Sequence, residues 1–286
     1  MATLVLTGLG VVRLWGSPWM LLTLPAYSYV LIFLFSAAHE SVHRTAFRSR
    51  WLNDLVAWAA GLVLLLPSRW FRLFHAAHHR YTQQVGLDPE LAGWKPPTRT
   101  GIVVHHTGVL YWKAMGSVVA DLVRGRAEST FLPKGHRSAV VREARFNVGL
   151  YVVVAAISAA TGSWLAVQLW LVPCLVGQPF LRWYLLAEHT GCPTDVGVVA
   201  GTRTTLTNPV VRFFAWNMPF HAEHHAHPQI PFHRLGVEHR RWTSGAPEAN
   251  WGALDRGYIR TVASVQTKRW RAAPRVSPAA GNKPDR

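Results

Sequence analysis

The chain has 286 residues, of which 50% are hydrophobic, and it carries 30 Lys and Arg against 14 Asp and Glu, a formal net charge of +16. An excess of basic residues can indicate nucleic-acid binding, but here the basic residues alternate with long uncharged apolar segments. We therefore interpret them as residues that flank membrane spans, and we expect no nucleic-acid partner. Two cysteines, Cys174 and Cys192, are too few to indicate a disulfide framework.

The first predicted element is a membrane span at about residues 17–38. This segment contains no charged residue, and about 20 apolar residues are enough to cross a bilayer. Residues 1–16 do not have the pattern of a cleaved signal peptide, because they lack a basic start and Arg13 follows their apolar stretch. Whether residues 1–16 cross the membrane is left open by the sequence.

Three further apolar segments follow. The segment at about 55–66 is apolar but short for a span, so we predict a re-entrant or interfacial helix. The segments at about 146–162 and 165–187 are long enough to cross and are joined by a short uncharged turn, which predicts a hairpin of two spans.

The remaining chain is more polar. Residues from Thr190 to about Arg271 are polar enough to form a cap on the membrane bundle, and residues 272–286 are rich in proline and are predicted to be disordered. We therefore predict one all-α membrane domain over residues 1–271, a helical bundle with a helical cap.

Three histidine clusters are the strongest functional signal. Within each cluster the histidines stand three or four positions apart, so on a helix they share a face. A ninth histidine, His189, stands at the end of a long apolar segment. The predicted metal-binding residues are His39, His43, His75, His78, His79, His189, His221, His224 and His225.

The number and type of these ligands narrow the choice of metal. Imidazole binds first-row transition metals, and nine imidazoles are too many for one ion but suit two ions side by side. The absence of nearby cysteine ligands argues against iron–sulfur clusters and thiolate zinc sites, and zinc usually takes only four ligands. Two iron ions with five or six ligands each fit best, while manganese and copper stay open.

The order of spans places the clusters on one side of the membrane. His43 and His75 must meet at one site, so the chain between them cannot cross once, and the hairpin between His79 and His189 goes over and returns. The loops on that side carry almost all of the Lys and Arg. The positive-inside rule then predicts that the metal site is cytoplasmic.

The clusters also carry a resemblance. The segments H-E-S-V-H-R-T, H-A-A-H-H-R-Y-T-Q followed by D-P-E, and N-M-P-F-H-A-E-H-H resemble the membrane-bound fatty acid desaturase family, from about His39 to His239. The resemblance implies two irons bound by these histidines together with one histidine at a membrane-helix end, which His189 fits. The five-residue first box is more similar to acyl-lipid desaturases than to the acyl-CoA type. Leu185 stands where the acyl-CoA branch has an asparagine that acts through water, and Asn217 is an alternative.

The function that the resemblance implies is an O₂-dependent oxidoreductase that introduces a double bond into the acyl chain of a fatty acid or lipid. The substrate would be an acyl-lipid, an acyl-thioester or another lipid. The sequence shows no nucleotide-binding fingerprint, so electrons would come from an external donor, and a basic face would attract an acidic protein such as a ferredoxin.

Two alternatives stay open. Lipid hydroxylases and carotenoid ketolases or hydroxylases share the three boxes. A non-catalytic protein that binds or transports metal is a more remote alternative, because transport predicts polar residues inside the spans, and these spans have almost none.

Several polar residues are expected to orient the metal ligands. Asp88 and Glu90, of the D-P-E segment, are the strongest expectations for hydrogen-bond partners of the histidines, and Asn217 is a further one. Arg203 and Asn208 are expected to brace the cap. Weaker expectations are Glu40, Glu188 and Glu223, and the histidines outside the clusters, such as His136 and His239, are assigned to the surface or to the surroundings of the site.

Overall fold

The structure, a computed structural model, describes residues 2–91 and 99–245, and these form helices without a β-strand. The all-α prediction is therefore confirmed, while the predicted tail at 272–286 lies outside the described residues. In chain order the helices are α1 (Ala2–Leu14), α2 (Met20–Ile32), α3 (Leu34–His43), α4 (Arg50–Val63), α5 (Ser68–Tyr81), α6 (Arg99–His106), α7 (Val109–Val123), α8 (Lys134–Thr161), α9 (Val172–His189), α10 (Pro209–Phe214), α11 (His221–Ala226) and α12 (Leu235–Gly245).

Three helical segments of the described chain are long and apolar enough to cross a membrane. They are Met20–His43, which joins α2 and α3, Lys134–Thr161, and Val167–His189, in which a π-helical turn precedes α9. At 1.5 Å per residue each of them exceeds the hydrocarbon thickness of about 30 Å. Helix α1 is apolar but shorter.

These segments correspond to the predicted spans, with shifted ends. The largest shift is in α8, which begins at Lys134 rather than at about 146. The added turns are amphipathic: Glu143 is buried and accepts hydrogen bonds from the backbone amides of Ser68 (2.7 Å) and Arg69 (3.1 Å) at the start of α5. Hydropathy detects only the apolar part of such a helix, because the polar part is stabilised by partners elsewhere in the chain.

The predicted short segment at 55–66 lies in α4 and the turn that follows it. Helices α4 and α5 meet at an angle of 104°, a geometry that fits either a broken span or a re-entrant hairpin. The Leu66 amide donates to the carbonyl of Gly61 at 2.7 Å, and a Cβ at Gly61 would overlap the Leu66 carbonyl oxygen. A glycine is therefore needed at this position for the chain to turn back so tightly.

Close packing of α9 against α2 aligns two of the spans. A Cβ at Gly177 would lie 2.8 Å from both the Ser28 carbonyl oxygen and the Ile32 Cβ, so only a glycine allows this approach. Ile32 belongs to an apolar core that includes Leu181 of α9 and Phe71 of α5. This core also contains Val42 of α3, so it packs together α3, α5 and α9, whose C-terminal ends carry histidines.

The cap closes over those ends. Leu235 of α12 is fully buried in the same apolar core, and an antiparallel bridge joins Thr204 to Phe220, the residue before α11. The backbone amide of Phe232 donates to the Glu40 carboxylate at 2.9 Å, which ties the cap to α3. Helix α11, which carries the third histidine cluster, is therefore held directly above the ends of the spans.

Candidate metal centre

The ends of four helices bring the nine predicted histidines together. His39 and His43 come from α3, the second cluster from the last two turns of α5, His189 from the last residue of α9, and the third cluster from α11. Seven of the nine side chains are buried, and His43 and His79 are partly buried. A single buried site thus collects all nine rings.

The rings divide into two groups. In the first histidine group, one ligand nitrogen from each ring lies within 4.8 Å of all the others, and His75 Nε2 is 2.8 Å from His43 Nε2 and 3.0 Å from His79 Nε2. The members of this group are His39, His43, His75, His79 and His224.

The second histidine group lies beside the first. Its rings His78, His189 and His225 also converge within 4.8 Å. His221 belongs with them, because its Nε2 is 3.1 Å from Nε2 of His189 and 3.1 Å from Nε2 of His225. Five rings therefore face one point and four face a second.

Hydrogen bonds fix the tautomers in the second group. Nδ1 of His78 lies 2.9 Å from the Asp88 carboxylate, and Nδ1 of His189 lies 3.0 Å from the carbonyl oxygen of Gly201. Both partners are acceptors, so both Nδ1 atoms donate, and each neutral ring then has a bare lone pair on Nε2. These two Nε2 atoms are only 3.1 Å apart. Two facing lone pairs repel each other unless a cation lies between them.

His225 follows the same rule. The Thr82 hydroxyl donates to the carbonyl oxygen of His78 at 2.7 Å, so it is an acceptor for Nδ1 of His225, 3.0 Å away. The lone pair of His225 is therefore also on Nε2. Nδ1 of His221 is 3.5 Å from the Glu188 carboxylate. The outer nitrogens of the second group face oxygen acceptors, an arrangement that orients metal-bound imidazoles.

The spacing of the nitrogens fits metal coordination. Imidazole nitrogens lie about 2.0–2.1 Å from a bound zinc ion, and two such bonds at a right angle set the nitrogens about 3 Å apart. Five neighbouring Nε2–Nε2 pairs in the two groups lie 2.8–3.1 Å apart. Tetrahedral bonds would set the nitrogens further apart, so these neighbouring pairs fit bonds at about a right angle to a shared ion.

Burial keeps the cap histidines in the neutral form that binds metal. Burial lowers the pKa of His221, His224 and His225 well below the usual value of 6.5, and neighbouring imidazoles lower each pKa further. The imidazole with the largest effect is that of His189 for His221, of His43 for His224 and of His79 for His225. A neutral imidazole offers the lone pair that a metal needs.

The carboxylates predicted near the site occupy different positions. Asp88 is buried against His78, and Glu90 Oε2 lies 3.4 Å from His78 Nε2. Glu40 binds the Phe232 amide, and Glu188 faces His221.

The remaining predicted residues support the backbone. The Asn217 amide donates to the carbonyl oxygen of Phe232 at 3.2 Å, on the cap. The Arg203 guanidinium donates to the carbonyl oxygen of Ala187 at 2.9 Å, in the last turn of α9. Asn208 accepts from the Val211 amide and caps α10.

Two contacts could not be read from the sequence. Thr82 binds His225, although 143 positions separate them. His239, which the sequence assigned to the surface or to the surroundings of the site, approaches the buried carboxylate of Glu223 to 2.6 Å through Nδ1, and Thr204 donates to the same carboxylate. Of these residues, only Thr82 could have been suspected from its place in the sequence, because it follows H-H-R-Y and lies one helical turn beyond His78.

Comparisons with known proteins identify the family of this chain. The sequence model of the fatty acid desaturase family matches residues 14–255. The sn-1 oleoyl-lipid 12-desaturase of Picosynechococcus sp. is 27% identical over 262 residues, which cover 82% of this chain and 72% of the relative. The dihydrorhizobitoxine desaturase of Bradyrhizobium elkanii is 27% identical over 84% of this chain and 72% of its own length.

A partial match adds one relative. The sn-1 acyl-lipid omega-3 desaturase (ferredoxin) of Nostoc sp. is 30% identical over 67 residues, which cover 23% of this chain and 18% of the relative. The family match spans most of the chain and includes all three histidine clusters and the D-P-E segment. The chain belongs to the fatty acid desaturase family and is an oxidoreductase of the membrane.

Proposed function

We propose that the two histidine groups hold two iron ions, and that the chain uses them with O₂ to introduce a double bond into a lipid acyl chain. The observation that carries the proposal is the convergence of Nε2 atoms at 2.8–3.1 Å, several of them with lone pairs fixed by their Nδ1 partners. The proposed ligands are His39, His43, His75, His79 and His224 for one ion, and His78, His189, His221 and His225 for the other.

The chemistry explains why a redox metal is needed. Desaturation converts –CH₂–CH₂– into –CH=CH–, with O₂, two electrons and two protons consumed and two waters released. Side-chain acids and bases cannot break an unactivated C–H bond, so the iron ions, once bound, would supply the oxidising power. The protein orients the imidazoles through Asp88, Thr82 and the Gly201 carbonyl, and it buries the centre to exclude water.

The substrate and the electron donor are the next parts of the proposal. Relatives named oleoyl-lipid desaturases support an acyl-lipid as substrate. The relative whose name includes ferredoxin supports a ferredoxin as the electron donor, and so does the excess of Lys and Arg over Asp and Glu. An acidic donor would be steered towards a basic face.

We also propose that the metal centre faces the cytoplasm. Support comes from the positive-inside rule and from the span order, which puts the Thr161–Ser163 turn at the opposite end of the α8–α9 hairpin from His189. A Ser163→Cys variant should react with an impermeant thiol reagent added outside. Labelling only from the cytoplasmic side would contradict the orientation.

The test of the function is lipid analysis. The full chain is expressed in a host with a matching reductase and donor, and lipids are compared by mass spectrometry with those from the His224→Ala variant. We expect acyl chains that have lost two hydrogens, formed only with O₂ and only by the unchanged protein. A product heavier by one oxygen would favour the hydroxylase alternative, a keto-carotenoid the ketolase, and unchanged lipids would overturn the enzyme proposal.

A further inference from the structure

We propose that an acidic ferredoxin docks on the arginine-rich surface around His43 and His79, and that its electrons enter the centre at the first histidine group. The inference rests on the proposed function, because it assumes that ions bound at this centre accept electrons. Of the nine rings, His43 and His79 are partly buried and the other seven are buried. Both partly buried rings belong to the first group, so a partner in solution reaches the centre at that group.

The chain between these two rings is strongly basic. It contains six arginines and a single acidic residue, Asp54. Asp54 binds both Arg44 and Arg72, so its negative charge is already offset. The six arginines are Arg44, Arg48, Arg50, Arg69, Arg72 and Arg80.

Three of these arginines leave their charge available to a partner. Arg48, Arg50 and Arg80 are exposed and form no ion pair with a described residue. The described contact of Arg80 is with the ring of Tyr81, 5.6 Å away, which leaves its positive charge in place. A surface with an excess of unpaired cations attracts an acidic protein and speeds its encounter.

The arginines of α4 and α5 share one surface. Arg50 stands one turn before Asp54 on α4, and Arg72, Ala76 and Arg80 follow each other at four-residue spacing along α5. The two lines meet because Asp54 binds Arg72. So many charged groups would be costly in hydrocarbon, which indicates that this surface faces the aqueous side of the membrane.

The second histidine group offers a poorer approach to an acidic protein. Its four rings are buried, and two carboxylates lie beside them. The Asp88 carboxylate is 2.9 Å from His78, and the Glu188 carboxylate is 3.5 Å from His221. Negative charge beside the second group and positive charge beside the first both favour docking at the first.

One point of entry can serve both ions. His79 of the first group stacks on His225 of the second, with 4.0 Å between the ring centroids, so the two ligand sets are in direct contact. Each reduced ferredoxin gives up one electron to a ferric ion, which becomes ferrous, and is itself oxidised. Two encounters supply the two electrons that one double bond requires.

The first experiment measures docking without catalysis. The metal-free full chain, in nanodiscs of neutral phosphatidylcholine, is titrated with ferredoxin by calorimetry at low salt. The double variant Arg50→Glu/Arg80→Gln should bind ferredoxin at least about 10-fold more weakly, and the difference should shrink at high salt because ions screen the attraction. Glu in the first turn of α4 also suits the helix dipole, so this change does not disfavour the helix.

The matched control is Arg142→Glu/Arg124→Gln, which makes the same change in charge at two exposed arginines outside the histidine groups. It should leave the affinity for ferredoxin unchanged. In the iron-loaded protein, Arg50→Glu/Arg80→Gln should raise the KM for ferredoxin about as much as it weakens binding. It should keep the iron content and the kcat at saturating ferredoxin, because no ligand is altered.

Cross-linking tests the position of the partner. Ala76 is exposed between the arginines of α5, and the native Cys174 and Cys192 are buried. A photo-cross-linker on Ala76→Cys should capture ferredoxin, whereas the same reagent on Ser163→Cys, at the other end of the α8–α9 hairpin, should not.

Several outcomes would overturn the docking proposal. One is a double variant that binds ferredoxin as tightly as the unchanged protein does, and another is an unchanged protein that does not bind ferredoxin. A third is a double variant that loses binding to vesicles of anionic phosphatidylglycerol but keeps its affinity for ferredoxin, since the arginines would then bind the membrane surface. In each case the proposed function stands if the unchanged protein still forms double bonds, and it fails only if lipids stay unchanged with every electron donor.

Discussion

The two histidine groups lie side by side and share helices α5 and α11, whereas α3 contributes only to the first group and α9 only to the second. Their rings are oriented by different forces. In the second group, Nδ1 of His78, His189 and His225 lies on oxygen acceptors from Asp88, Gly201 and Thr82. In the first group, Nδ1 of His39, His79 and His224 has no hydrogen-bond partner among the described residues. Nδ1 of His221, the fourth ring of the second group, also has no hydrogen-bond partner among the described residues and lies 3.5 Å from the Glu188 carboxylate. Three of the four rings of the second group are therefore oriented by hydrogen bonds that also fix their tautomers.

Packing orients the first group instead. The ring of His39 lies 4.3 Å from that of His75 and 4.9 Å from that of His224, measured between centroids, and Phe71 stacks on His75 at 5.3 Å. A clamp outside the rings holds the backbone that carries them. Arg44, the residue after His43, and Arg72, one turn before His75, both bind the carboxylate of Asp54. The comparison shows that two sets of imidazoles can be oriented in different ways, one mainly by hydrogen bonds and the other mainly by packing.

The largest expected effect comes from removing one ligand from either group. His224→Ala takes an imidazole from the first group and His78→Ala takes one from the second, and the proposed reaction uses both ions. We expect product formation to fall below detection in both variants, while the apolar spans still insert the chain in the membrane. Lipid mass spectrometry and membrane fractionation measure the two properties.

The control for ligand removal is His136→Ala, since His136 is exposed at the start of α8. It should keep normal activity. Residual activity in His224→Ala but not in His78→Ala would break the comparison, because it would mean that the first group is dispensable.

Acid should destabilise the metal-free protein through the histidines of the cap. Burial lowers the pKa of His221, His224 and His225 well below 6.5 in the folded state, so below that pH the unfolded chain binds more protons than the folded one. Stability is therefore lost as the pH falls, by up to about 1.4 kcal/mol per pH unit for each histidine. The melting temperature of the metal-free protein should fall between about pH 7 and about pH 5.

A His224→Asn variant tests the assignment, since it has one fewer titrating ring. Its melting temperature should depend less steeply on pH than that of the unchanged protein. Metal loading of the unchanged protein should raise its melting temperature at every pH at which the ligands are not protonated. A melting temperature that rises as the pH falls would contradict the lowered pKa values.

Asp88→Asn should weaken the second group selectively. Both carboxylate oxygens of Asp88 accept hydrogen bonds, from His78 and from two backbone amides. An asparagine amide group would have to face one of these donors, so the ring or the loop must shift. Loss of such a partner typically lowers metal affinity by about 10–100-fold, which a chelator titration would measure.

The control for this change is Asp195→Asn. Asp195 is exposed, and its carboxylate accepts from the amide of Val85, 110 positions away in the chain, at 3.1 Å. It should leave iron affinity unchanged. An equal loss of affinity at both ions in Asp88→Asn would mean that Asp88 orients the ligands of both groups.

Much of the site could be predicted from helical spacing, but the division of its histidines into two groups could not. His75 with His79, His221 with His225 and His39 with His43 are pairs four positions apart, which a helix puts on one face, and the structure keeps each pair in one group. The third ring of each longer box, His78 or His224, joins the other group. Which pair faces which ion depends on how α5 and α11 meet, and that is set by long-range packing.

The residues that orient the histidines were harder to predict from the sequence. Asp88 could be predicted because it lies close to the second box in the chain, whereas Thr82 and His225 are 143 positions apart. The helix boundaries show the same limit. The apolar run predicted the hairpin, but the polar start of α8 depends on Glu143 binding amides of α5. Local patterns predict which residues share a face, and only the folded chain determines the partner of that face.

The smallest effect is expected from Asp54→Asn, which weakens the clamp that supports the first group. The Asp54 side chain is 44% exposed, so solvent screens its ion pairs with Arg44 and Arg72. Such pairs contribute about 0–1 kcal/mol, and the free energy of unfolding should fall by no more than that. Iron affinity should fall only slightly and only at the first group, because the rings still pack against each other.

The matched control is Asp121→Asn, an exposed carboxylate that lies 4.0 Å from Arg126 and outside the site. Thermal unfolding should give similar stabilities for the two variants. In the ⁵⁷Fe titration they should differ only in the affinity of the ion at the first group. A loss at the first group as large as that caused by Asp88→Asn at the second would show that polar contacts orient both groups. In that case the division between packing and hydrogen bonding would be wrong.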